Sequence, residues 1–121
     1  MKTALVIDDN RLPANTLCQL LTLFDIQARA AYGARAGILA LQEKPPDVLF
    51  LDISMPGLNG HEILAYLRRE PQLINIPVVV VTADDSPETA RQARQEGAVD
   101  VIVKPATLEA IETALKVAKI V

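Results

Sequence analysis

Residues 47–60 read DVLFLDISMPGLNG, and the way this stretch divides decides the fold. Val48 to Leu51 form an unbroken apolar run that is short for a helix. It also lacks the alternation of a strand with one wet face. Stopped by Asp52 and then by Pro56, Gly57 and Gly60, it reads as a strand buried on both faces of a parallel sheet. The same signature recurs in ALVI at 4–7, IPVVVV at 76–81 and VDVIV at 99–103. Ile26 to Ala31 is less apolar and reads as a strand nearer an edge.

Helical spacing fills the intervals. Leu17, Leu20, Leu21 and Phe24 share one face, Ile38 and Leu41 mark a second helix, and Ile63, Leu64 and Leu67 a third. PETARQARQEG at 87–97 predicts a polar, exposed helix stopped by Gly97. Leu108, Ile111 and Leu115 predict a last buried stripe. Thr107 is its expected N-cap, although Ala110 stands where a capping box would carry glutamate. Strict alternation of strand and helix implies a three-layer α/β fold with a parallel sheet. Residues 1–121 read as one domain without a linker, and the last helix leaves no room for an output domain before Val121.

Bulk properties exclude several classes of function. A net charge of −3 gives no broad basic field for nucleic acid. A single cysteine, Cys18 in LCQLLTLF, excludes an internal disulfide and fits a reducing compartment. It is expected to pack rather than react. No apolar stretch reaches the ~18 residues of a membrane span, and the apolar run in MKTALVIDDN meets acids too soon for a signal peptide. A cytoplasmic location is the expectation.

In an open parallel sheet the site lies beyond the carboxyl ends of the strands. The first run is followed there by Asp8–Asp9 and the third by Asp52. The fourth ends in Thr82 and the fifth in Lys104–Pro105. Taken singly, an acid at a strand end is often a helix cap, a lysine a solvated charge and a threonine a strand former. Their joint placement is what carries weight. Three adjacent carboxylates repel one another unless a cation intervenes. Oxygen donors without His or Cys favour Mg²⁺ or Mn²⁺ over zinc. A carboxylate nucleophile, a divalent metal and a lysine are the parts of a phosphoryl-transfer site.

With these motifs the chain resembles the receiver domain of two-component response regulators, of the single-domain chemotaxis-regulator kind, from Lys2 to about Lys119. LVIDDN matches the acidic pair, DVLFLDISMPGLNG the phosphoacceptor strand and loop, VVVVTA the hydroxyl-bearing strand, and IVKP the lysine–proline motif. The resemblance implies a doubly wound, flavodoxin-like sheet in the order 2-1-3-4-5. It also implies phosphoryl transfer to Asp52 from a histidine kinase or histidine phosphotransfer protein, and a downstream protein effector. Asp9 and Asp8 would hold Mg²⁺ with Asp52 and the Ser54 carbonyl. Thr82 would bind the phosphoryl group, and Lys104 would pair with its oxygen, or with Asp52 when the site is empty. Pro105 would follow a cis peptide, and Met55, Pro56, Gly57 and Gly60 would shape the loop. The fourth helix, fifth strand and fifth helix are the surface a homodimer would use. Two positions depart from the family: Val101 replaces a usual Tyr or Phe, and Ala106 a frequent Phe. Val101 is expected to be buried.

Other readings fit less well. A haloacid-dehalogenase phosphatase needs an aspartate where Ser54 stands, and a flavin binder needs a Gly/Ser/Thr-rich loop where IDDNRLP stands. An interaction module that works without phosphorylation has no use for the intact acids, Thr82 and Lys104. His61 is expected to be an exposed helical residue, and Asp84 to face the phosphoryl approach or Lys104.

Overall fold

Every apolar run becomes a strand: β1 Thr3–Ile7, β2 Gln27–Ala31, β3 Val48–Asp52, β4 Val78–Thr82 and β5 Asp100–Val103. In the computed structural model, which describes residues 1–55 and 60–121, they form one parallel sheet in the order β2-β1-β3-β4-β5. The intervals fold as α1 Arg11–Thr22, α2 Ala34–Glu43, α3 Gly60–Arg69, α4 Pro87–Gln95 and α5 Leu108–Val117. The architecture is the expected flavodoxin-like α/β sheet. Pro56 and Gly57, expected to shape the loop after β3, lie outside the described residues.

The unbroken apolar runs have a direct cause. Successive side chains of a strand point to opposite faces, and here both faces carry helices. Leu5, Ile7, Leu49, Leu51, Val78 and Val80 enter the core beneath α2, α3 and α4. Their neighbours Ala4, Val6, Val48, Phe50, Val79 and Val81 enter the core beneath α1 and α5. Leu5, Leu49 and Phe50 lose all contact with solvent, so truncating any of them to Ala costs about 2–5 kcal/mol. β2 is more exposed and lies at one edge, as its composition predicts.

Cap chemistry sets the helix starts. Asn10, Ser86 and Thr107 each accept a backbone N–H of the first turn, from Leu12, Thr89 and Ala110 respectively. Asp9 therefore does not cap α1. Leu108 departs from expectation: it is exposed, because it lies in the opening turn, ahead of the buried stripe Ile111, Ala114 and Leu115. Val101 is only half-buried against the α2–α4 core, since β5 is an edge strand.

Two glycines are dictated by space. A Cβ on Gly60 would lie 2.4 Å from Ile53 Cα and 2.8 Å from the Asp52 carbonyl oxygen. The start of α3 can therefore lie against the chain leaving β3 only without a side chain. Gly97 has φ +107, a conformation open to glycine. It ends α4 beside Arg68 of α3, whose guanidinium donates to the carbonyls of Glu96, Gly97 and Ile74. His61 is not the exposed residue expected. It is half-buried, and its Nδ1 meets Glu96 Oε1, joining α3 to the end of α4.

Candidate functional site

The chain leaves three strands by the same device. Asn10 N–H donates to Asp8 Oδ1 at 3.0 Å, Ser54 N–H to Asp52 Oδ1 at 2.9 Å, and Asp84 N–H to Thr82 Oγ1 at 3.1 Å. A short polar side chain that bonds its own backbone two residues on is a local turn former. Asp8, Asp52 and Thr82 thus turn the chain and are immobilised in doing so.

Strand register brings them together. Ile7 pairs with Leu51, so Asp8 and Asp52, one residue further on, stand side by side at the switch point of the sheet. Asp8 is 4 % exposed, Asp52 6 % and Thr82 0 %, whereas Asp9 and Ser54 are exposed. One carboxylate oxygen from each of Asp8, Asp9 and Asp52 comes within 4.8 Å of the others. Thr82 pairs with Val103, and Lys104 N–H donates to the Thr82 carbonyl at 2.7 Å, just ahead of a cis Lys104–Pro105 bond. From there the Lys104 side chain reaches Asp8 Oδ2 at 2.8 Å and lies 3.5 Å from Asp52 Oδ2. Lys104 therefore pairs with Asp52 as expected, and more closely with Asp8. The ammonium settles between the two carboxylates, where their fields add.

The family model described as the response regulator receiver domain matches residues 4–116, nearly the whole chain. The chain belongs to this family. Protein PilH of Pseudomonas aeruginosa is 30% identical over 111 residues, covering 92% of both chains. The structure of the Vibrio cholerae chemotaxis protein CheY4 superposes with a TM-score of 0.87 at 25% identity, over 96% of this chain and 97% of the other. The receiver domain of Francisella response regulator 1452 gives a TM-score of 0.87 at 28% identity, over 98% of each. Receiver domains are signalling modules of two-component systems rather than classical enzymes. They interact with histidine kinases or phosphotransfer proteins and with effectors, and bind Mg²⁺ at an acidic pocket.

The charges of this receiver domain fit such an ion. Burial by itself would raise the Asp8 carboxyl, but the Lys104 ammonium and the Asn10 N–H outweigh it and hold it below the usual range. Asp52 goes the other way. Burial raises it, and the Ser54 N–H and the charge of Lys104 only partly offset that, with Asp8 adding to the rise. Lys104 is pushed down by burial and more than restored by Asp8 and Asp52. Two buried carboxylates thus share one ammonium, with Asp9 adjoining, and the pocket is short of positive charge. The donors are all oxygen, which suits Mg²⁺.

Other sequence candidates find different surroundings. The Asp84 carboxylate is engaged locally, accepting from the Thr89 hydroxyl at 2.5 Å and from Ser86 N–H at 2.9 Å and holding the start of α4. The Thr89 hydroxyl foremost keeps the Asp84 carboxyl low. Cys18 is half-buried against the α1–α5 core, and burial raises its thiol, which makes it unreactive. Among the described residues no helix is long and apolar enough to cross a membrane.

Proposed function

We propose that residues 1–121 act as one phosphoacceptor unit in which Asp52 takes a phosphoryl group from a histidine kinase or phosphotransfer protein. The observation that carries this reading is a buried Asp52 gathered with Asp8, Asp9 and the Lys104 ammonium. A carboxylate oxygen of Asp52 attacks phosphorus. The new O–P bond forms as the N–P bond of a phosphohistidine breaks, and the departing imidazole takes up a proton. Asp8, Asp9 and Asp52, with the Ser54 carbonyl, would hold Mg²⁺, which when bound offsets the charge of the phosphoryl oxygens.

Lys104 is already loosely shared between Asp8 and Asp52 and needs only a small shift to pair with a phosphoryl oxygen. The Thr82 hydroxyl accepts from Asp84 N–H, so its own proton is free to be given to that group. Doing so would draw on the Ala83–Pro87 segment, which Asp84 ties to α4. Bond-making at Asp52 thereby couples to α4, the conformational output offered to an effector. A cytoplasmic location goes with this reading.

The test is incubation with acetyl phosphate and Mg²⁺, followed by intact-mass analysis. One base-labile phosphoryl group is expected, lost in Asp52→Asn and absent when Mg²⁺ is chelated. Labelling of His61, or unchanged labelling of Asp52→Asn, overturns the assignment.

A further inference from the structure

A cavity of about 380 Å³ opens beside the acid cluster, between α1 and the turn after β5. Its walls include Leu17 and Leu20 of α1, Val81 of β4 and Ala106. Its polar end is formed by Asp8, Asp52 and Lys104. The volume falls within the range of small-molecule sites, as does the lining, apolar walls with a few polar groups gathered at one place. It is too small for a helix and large enough for a one-ring body with a short arm. Ala106 keeps it open, since only a methyl group projects there from the β5–α5 turn.

The polar end selects the head group. Two buried carboxylates face it against one ammonium. Oδ1 of each carboxylate is used by a backbone N–H of its own loop, and the Oδ2 atoms share Lys104. An anionic head would meet net repulsion, whereas a second ammonium would be attracted. We infer that this cavity binds a small arylalkylamine, its ring between α1 and Ala106 and its ammonium at Asp8 and Asp52, in competition with a divalent cation. The competition rests on reading the acids as the Mg²⁺ site. Binding of the amine to metal-free protein does not, so the two can fail separately.

The probe is 2-phenylethylamine, titrated into the ¹⁵N-labelled chain of residues 1–121 in EDTA and followed by amide shifts. Shifts are expected at Leu17, Leu20, Val81 and Ala106, with benzyl alcohol binding more weakly. Ala106→Phe fills the cavity from within. A ring that buries its apolar surface contributes roughly tenfold or more in affinity, so this variant should lose at least that factor. Its Mg²⁺-induced shifts at residues 8–9 and 52 should be preserved, showing that the fold and acid cluster survive. Saturating Mg²⁺ should weaken the amine several-fold. The inference is overturned if these amides do not shift, if Ala106→Phe binds the amine unchanged, or if benzyl alcohol binds as well as the amine. Where Mg²⁺ does shift residues 8–9 and 52, amine binding that is independent of Mg²⁺ overturns the placement of the ammonium at the acids; where it does not, the Mg²⁺ reading fails instead.

Discussion

Replacing Lys104 by Met keeps the apolar stem of the side chain and deletes one charge. The lost ammonium stands 2.8 Å from Asp8 Oδ2 and 3.5 Å from Asp52 Oδ2. At an effective dielectric near 20 those attractions are about 6 and about 5 kcal/mol before any cost is set against them. The ammonium gave up hydration to reach this position, and its side chain is still 25% exposed, so solvent screens much of the gain. What remains after the substitution is two buried carboxylates with no counter-charge, a state that costs about 3–5 kcal/mol where burial is complete. Partial exposure brings the expected loss to about 2–3 kcal/mol at neutral pH in EDTA, or roughly 6–15 °C in Tm for a domain of this size. Mg²⁺ should reverse part of it. A site with Kd of about 1 mM gains about 1.4 kcal/mol at about 10 mM ion. The variant should gain more than the parent, because no ammonium competes for the acids. Calorimetric melts of both proteins with EDTA and with Mg²⁺ measure the difference directly. Lys104→Met that melts with the parent in EDTA, or gains no more from Mg²⁺, would refute the account of the pocket as short of positive charge.

Three further outcomes are expected. Asp9 is exposed, so Asp9→Asn should change stability by no more than about 0.5 kcal/mol while weakening Mg²⁺ in an amide-shift titration; a large stability loss would show that Asp9 is structural. Gly60→Ala presses a methyl group on the Ile53 and Asp52 backbone and should cost about 1–3 kcal/mol in denaturant unfolding, with slower acetyl phosphate labelling of Asp52. Lys104 holds its proton more tightly in the folded than in the unfolded chain. Its contribution is therefore complete below the ordinary lysine value of 10.5 and fades as pH rises through the higher folded value; in alkaline unfolding curves the parent should lose its advantage over Lys104→Met in that window.

The sheet was legible in the sequence because burial on both faces leaves a continuous apolar run, as in Leu49–Leu51 and Val78–Val81. The site was legible for a related reason: a parallel sheet delivers the residue after each run to the same edge. Asp8, Asp52, Thr82 and Lys104 could therefore be collected before their distances were known. What sequence did not reveal is how each side chain chooses among partners that meet only in space. Lys104 takes Asp8, which is 96 residues away, in preference to Asp52. His61 finds Glu96 across 35 residues. The local turns at Asp8–Asn10, Asp52–Ser54 and Thr82–Asp84 were within reach of sequence reasoning, since an Asp or Thr two residues before a free N–H is a turn former. The link from Asp84 on to Thr89 could likewise have been found from the spacing of DDSPET. The cavity beside Ala106 left only the trace of a small residue where the family often carries a large one.

Arg68 gives α4 unequal ends. At Gly97 the helix is moored to α3 by charged donors on main-chain carbonyls, with His61 and Glu96 beside them. At Ser86 it hangs from a short relay of hydroxyl and carboxylate bonds that leads back to Thr82. Nine helical residues make a rod about 13 Å long. In the proposed switch, a tug at Thr82 would meet a rod pinned at its far end and be delivered as a swing about that pivot. The arc would be widest at the Ser86 end and vanish near Gly97, so the face of α4 that a partner would feel moving is its first turn.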